Sequence, residues 1–236
     1  MCAAGPSRFP TTRWTLILAA GVSAQAREEA LTQLMGVYWK PLYIFLRRRG
    51  LDAAAAEDAV QDVLLLVLER NALDKVRPER GRLRAYLKTV AQNYLINRHE
   101  QATAQKRGGA AKAVPIDTAL AERLADVETA DPDLAFERAW ATALMGRAFA
   151  RLREEYISGE RQGPWEILET MFQPSAAVPG YRDLAKANGL SVPALKAFVH
   201  RARLRYRELV REEVEHTVEN PAEIEGEMSA LLEALA

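Results

Sequence analysis

The chain has 236 residues, 49% of them hydrophobic, with 32 Lys or Arg balanced by 32 Asp or Glu, and a single cysteine. That length admits one large domain or two small ones with real cores. Cys2 alone excludes an internal disulfide framework and a Cys-rich zinc site and fits a reducing compartment. No apolar run approaches the roughly 20 residues of a membrane span, and Thr15–Ala20 is too short for a signal-peptide core, so a cytoplasmic protein without a membrane partner is expected.

Almost every segment reads helical, and no sustained period-two alternation is present. Arg13–Ala20 reads as a short helix. Ala26–Arg49 reads as a longer one, in which Pro41 is expected to kink or break the ladder. Gly50 stops it, and Asp52 suits the N-cap of the next helix. Ala53–Asn71 is a strong helix, Leu73–Gly81 a loop, and Arg82–Lys106 a second strong helix stopped by Gly108 and Gly109. Ala110–Pro132 has the composition of an acidic linker, and Leu134–Tyr156 is again helical. The Gly- and Pro-rich stretch Gly159–Gly180 holds one short helix near Trp165–Phe172. After a further pair of helices the chain closes in an acidic segment with a last helix at Ile224–Leu235. The expected fold class is all-α, two small helical domains joined by an acidic linker.

The zero net charge hides alternating blocks. Leu51–Glu69 holds 5 acids and no Lys or Arg; Lys75–Lys112 holds 10 Lys or Arg and 2 acids. Val114–Ala135 holds 6 acids and one Arg, and Glu212–Ala236 holds 8 acids and no Lys or Arg. Because fields are screened beyond about 10 Å at ordinary salt, the blocks matter more than their sum.

On Ala53–Asn71, Val60, Val63, Leu64, Val67 and Leu68 make one buried face, and Asp58, Gln61 and Asp62 share another. Taken alone, such a polar trio is commonly just solvated surface. On Arg82–Lys106, Leu83, Tyr86, Leu87, Val90, Ala91 and Tyr94 form the core face. Lys88, Gln92, Asn93, Asn97 and Arg98 are left outward, beside the basic loop RPERGR at 77–82. Amides and cations on one helix could read base edges while fixing phosphates. Tyr86 and Tyr94 could stack on bases, although aromatics at helical spacing more often fill cores.

Gly180–Arg211 reads as a helix-turn-helix. Counting Tyr181 as first, Ala185 is fifth, where a small residue lets the second helix approach. Gly189 is ninth, where the tight turn needs positive φ. Ser191 suits the N-cap, and Pro193 is tolerated in the first turn. Leu195, Phe198, Val199, Ala202, Tyr206 and Leu209 should pack inward. Lys196, His200, Arg203 and Arg207 line another face, with Arg201 and Arg205 at its border. Such a helix suits a DNA major groove; the plain alternative is a solvated basic face on an ordinary helical hairpin.

The order of these pieces resembles the extracytoplasmic-function (ECF) branch of bacterial RNA polymerase sigma factors. AEDAVQDVLLLVLE (56–69) is similar to the family's polymerase-clamp helix, with Glu57, Asp58, Gln61 and Asp62 on its acidic pattern. RGRLRAYLKTVAQNYLINRHEQ (80–101) is similar to its promoter-melting and −10-reading segment, and YRDLAKANGLSVPALKAFVHRAR (181–203) to its −35-reading helix-turn-helix. The resemblance covers about residues 26–107 and 134–212. It implies a non-enzymatic promoter-specificity subunit, with no catalytic residue, metal or cofactor. Its partners would be core RNA polymerase, through the clamp coiled coil and the flap, and promoter DNA, duplex at −35 and melted at −10. An anti-sigma factor stays open as a further partner.

Carried over by residue, the resemblance assigns polymerase binding to Asp58, Gln61 and Asp62. It assigns −10 reading and melting to Arg80, Arg82, Arg84, Tyr86, Lys88, Gln92, Asn93, Asn97 and Arg98. It assigns −35 reading to Ser191, Lys196, Ala197, His200, Arg201 and Arg203. It divides the chain into an extension at 1–25, a region 2-like domain at 26–109, a linker at 110–133 that could mimic nucleic acid, a region 4-like domain at 134–212 and an acidic tail at 213–236. Ala197 stands where the family often has Ser, Phe198 where Arg is frequent, and Pro193–Ala194 where Gly-Thr is common; these departures bear on the promoter sequence. FPTTRWTLI (9–17) and the insert before the helix-turn-helix look like features of a variant subgroup.

Two other classes compete. A stand-alone helix-turn-helix regulator usually reads symmetric half-sites as a dimer, yet no coiled-coil seam is visible and Asp58, Gln61 and Asp62 would have no task. An enzyme using Asp58 and Asp62 with a metal lacks a matching third ligand.

Overall fold

The computed structural model describes residues 23–68, 83–105, 131–161, 163–172, 180–218 and 220–236. The expected helix Arg13–Ala20, the loop Leu73–Gly81 and nearly all of the acidic linker lie outside the described residues. The chain is all-α. Among the described residues there are eight α-helices and no strand: α1 (Ala24–Arg48), α2 (Ala53–Val67), α3 (Leu83–Gln105), α4 (Pro132–Ile157), α5 (Trp165–Phe172), α6 (Tyr181–Ala187), α7 (Val192–Glu215) and α8 (Ile224–Leu235). A single 3₁₀ turn, Pro221–Glu223, leads into α8. No helix among them is long and apolar enough to cross a membrane.

The helices group into two compact units. The first takes residues 1–143 and 214–236, the second 144–213. Residues 214–236, set apart as an acidic tail by the resemblance, group with the first unit, and so does the start of α4.

In the first unit, Ser23 caps α1 by accepting from the Ala26 N–H at 3.1 Å, and Asp52 caps α2 by accepting from the Ala55 N–H at 2.8 Å. The break expected at Pro41 does not occur; α1 runs through it, with Pro41 buried. Proline forfeits one ladder bond, but the buried Leu42, Phe45 and Leu46 hold the following turns in place. α1 packs on α2, and α2 on α3. Val60, Val63, Leu64 and Val67 of α2 recur at three-and-four spacing and are all fully buried, as are Leu83, Leu87 and Ala91 of α3. Phe136 and Trp140 from α4 and Leu231 from α8 complete this core, with Phe136 edge-on to Phe45 at 6.1 Å between centroids.

The second unit is built on aromatic contacts. Phe149 of α4 meets Trp165 and Phe172 of α5 at 5.1 and 5.7 Å, and Phe172 meets Tyr206 of α7 at 5.3 Å. The Tyr206 hydroxyl donates to the Met145 carbonyl at 3.1 Å, and burial pushes its phenol up to about 12. Between α6 and α7 the turn has the anticipated form. Gly189 adopts φ 66°, the Leu190 N–H donates back to the Ala185 carbonyl at 2.9 Å, and the Gly189 N–H to the Lys186 carbonyl at 3.4 Å. These two bonds define a Schellman close of α6. Ser191 then caps α7, its hydroxyl accepting from the Ala194 N–H at 3.3 Å.

Phe198, at the position where the resembled family often has Arg, is buried and edge-on to Tyr156 at 5.8 Å. Gly163, from the insert, lies against the same ring with φ 135°, and a Cβ there would run into it. Gly163 thus packs directly on the buried Phe198 ring. Gly163→Ala combines strained φ with a ring collision, so it should destabilise the protein by about 1–3 kcal/mol. Urea denaturation checks this, and an unshifted midpoint would mean that the ring yields freely.

Candidate nucleic-acid interface

The acidic face of α2 forms as the periodicity anticipates. Asp58, Gln61 and Asp62 are all exposed, and Leu65 and Leu66 continue the outer surface at 39% and 37% exposure. Glu57, the first acid of the pattern, is buried and does not join them. Asp62 Oδ2 accepts a hydrogen bond from the Tyr94 hydroxyl of α3 at 2.8 Å.

On α3 the residues assigned to DNA divide. Arg80 and Arg82 lie outside the described residues. Asn93, Asn97 and Arg98 are exposed, with Ile96 beside them at 56% exposure, and Gln92 and Tyr86 are half-buried. Burial pushes the Tyr86 phenol above its ordinary value.

Arg84 is not on this surface, which corrects its place among the DNA contacts. Its side chain is 7% exposed. Its Nε donates to Glu137 Oε2 at 2.9 Å, its Nη1 donates to Glu227 Oε2, and its guanidinium stacks over the Trp140 ring at 4.3 Å. Lys88, one turn on, is also engaged, with Glu137 at 2.8 Å and Asp133 at 3.1 Å. Burial opposes its charge, but hydrogen bonds and attraction from Glu137 and Asp133 outweigh that and hold the ammonium above its ordinary value. Arg49 adds a further pair to Asp133 at 3.3 Å. The partners of these bases lie 45 (Lys88 to Asp133) to 143 (Arg84 to Glu227) residues further along the chain, beyond the reach of any local pattern.

On α7 every residue assigned to the duplex is outward: Ser191, Lys196, Ala197, His200, Arg201 and Arg203 are exposed, as is Arg207. No acid occurs between Ser191 and Arg207. That stretch of the helix therefore carries positive charge with no acid among its own residues, and positive charge is what phosphate contact draws on. Lys196 Nζ lies 5.8 Å from the centre of the Tyr181 ring on α6. Arg205, at the border of the stripe, turns inward. Its Nη2 meets Glu155 at 2.7 Å, and its Nη1 meets Glu208 and Glu212 at 3.0 Å each. The Arg205 hydrogen bonds, with a further one from Arg161, hold the Glu155 carboxyl below its usual range although burial opposes them.

Comparison with known families places one of these surfaces. Residues 36–105 match Sigma-70 region 2, so the chain carries a sigma-70 region 2 domain that contains α2 and α3. No curated protein and no solved structure gives a match.

Arg84→Gln leaves Glu227 buried without its cation and should destabilise the protein by about 3–5 kcal/mol. Arg98→Gln, exposed on the same helix, should stay within about 0.5 kcal/mol of the parent. Urea denaturation of both variants separates the two roles; equal, small effects would put Arg84 back among the surface cations.

Proposed function

We propose that this protein is a sigma factor of the ECF type, which binds core RNA polymerase and directs initiation by reading −10 and −35 promoter elements. The observation that carries the reading is the sigma-70 region 2 match over the helices that display Asp58, Gln61 and Asp62 on one side and Asn93, Asn97 and Arg98 on another. The acidic face of α2, with Leu65 and Leu66 continuing it, offers acceptors and apolar area to a basic coiled coil such as the polymerase clamp. The polymerase flap is the second contact that this reading supplies.

In this reading the −10 surface of α3 consists of Gln92, Asn93, Asn97 and Arg98, joined by Tyr86 and by Arg80 and Arg82, which precede it in sequence. Amides and one exposed cation suit an unstacked strand, where stacking and hydrogen bonds to base edges act together. Arg84 and Lys88 serve the fold instead. The helix-turn-helix supplies −35 anchoring through α7 in the major groove. Lys196, Ala197, His200 and Arg201 face base edges, and Ser191 and Arg203 face the backbone. The work is binding and strand capture, with no covalent step.

Purified protein added to core polymerase should support run-off transcription from a cognate promoter. Tight duplex binding by a chain that never co-purifies with core would instead favour a free-standing regulator. Asp62→Lys is expected to weaken core binding at least tenfold while leaving isolated duplex binding unchanged; parallel loss of both would refute the division of labour. Lys196→Ala or Arg201→Ala should cost about 1–3 kcal/mol of discrimination at one base position. A promoter-substitution series measures this, and a uniform loss across sequences would reassign the residue to phosphate.

A further inference from the structure

We propose that Tyr94 is a positioning residue for the partner-binding face of α2: its hydroxyl orients Asp62 for an incoming cation. This rests on the reading of Asp62 as a polymerase contact. The Tyr94 hydroxyl donates to Asp62 Oδ2 at 2.8 Å, joining α3 to α2 at the edge of the exposed acidic face. Asp62 Oδ1 takes no further partner among the described residues and remains available for a second, incoming donor. Arg98, one turn beyond Tyr94 on α3, acts on the same hydroxyl as a donor.

The direction of this chain follows from the groups themselves. A guanidinium only donates and a carboxylate only accepts. The hydroxyl between them therefore accepts from Arg98 and gives its own proton to Asp62; no reversed arrangement satisfies all three. The Tyr94 ring is half-buried, which limits its swing. A carboxylate on an exposed helical face would otherwise sample several rotamers and lose that freedom when a partner arrives. With one oxygen already fixed, part of the ordering is done in advance. Among the described residues no hydroxyl donates to Asp58, one turn earlier on the same face, which serves as the internal contrast.

The test is a double-mutant cycle on the full chain. Affinity for core RNA polymerase is measured by fluorescence anisotropy for the wild type, Tyr94→Phe, Asp62→Ala and the double variant. Phenylalanine keeps the ring and removes only the hydroxyl, and alanine removes the acceptor. Tyr94→Phe should weaken binding about threefold to tenfold, the range of one hydrogen bond to a charged group. The same change should add nothing in the Asp62→Ala background. Equal loss in both backgrounds, or no loss in either, overturns the positioning role. If Asp62→Ala binds core as tightly as wild type, Asp62 is no contact and the inference falls with it, while polymerase binding itself stands. If wild type does not bind core at all, the sigma-factor reading fails first.

Discussion

The contact on which the first unit depends is a single guanidinium. Arg84 projects from the first turn of α3 and meets Glu137 of α4, Glu227 of α8 and the face of Trp140. Three helices distant in sequence are fixed to one another at that point. Removing a charged side chain from water is costly, and that cost is offset only when geometry and charge are both complete. Arg84 has two carboxylates and an aromatic face; Lys88 and Arg49 share Glu137 and Asp133 beside it. The cluster specifies where α4 and α8 pack as much as it stabilises them, because an apolar contact would tolerate a slipped register that this one does not.

The balanced composition takes on a different meaning in this light. Many bases are spent internally: Arg84 and Lys88 in the first unit, and Arg205 with its cage of Glu155, Glu208 and Glu212 in the second. What remains at the surface is not an average but a selection. α7 keeps Lys196, Arg201, Arg203 and Arg207 outward, and α3 keeps Arg98 beside two amides. A zero net charge therefore coexists with a locally cationic helical face, since neutralisation happens inside each unit and exposure outside it.

Much of this was legible in the sequence where the signal is local. The apolar period placed the buried face of α2 and the inner row of α7, and the limits Trp165–Phe172 and Ile224–Leu235 were read to the residue. Gly189 was legible because a tight interhelical turn demands positive φ, which glycine adopts at little cost. At Pro41, where a kink or break was expected, the helix is not broken, because local chemistry argued against a helix that tertiary packing then enforced. Arg84 and Lys88 were misplaced for the opposite reason. A basic residue on an amphipathic helix looks solvent-facing until its acids are known, and those come from segments with no local relation to it. Glu57 shows the same limit: a carboxylate inside an acidic motif can still turn to the core.

The Arg84–Glu227 pair also sets an order of events on the ribosome. At about 5–20 residues per second, the 143 residues separating the two take on the order of ten seconds to synthesise. During that interval α1, α2 and α3 can collapse locally, but their charged keystone has neither carboxylate until Glu137 is made and only that one until Glu227 follows. The first unit can close only after the whole of the second has emerged. Its completion is a late, long-loop event, whereas α6 and α7 need nothing beyond their own neighbourhood. A nascent chain of this protein would thus own a finished second unit before the first is sealed.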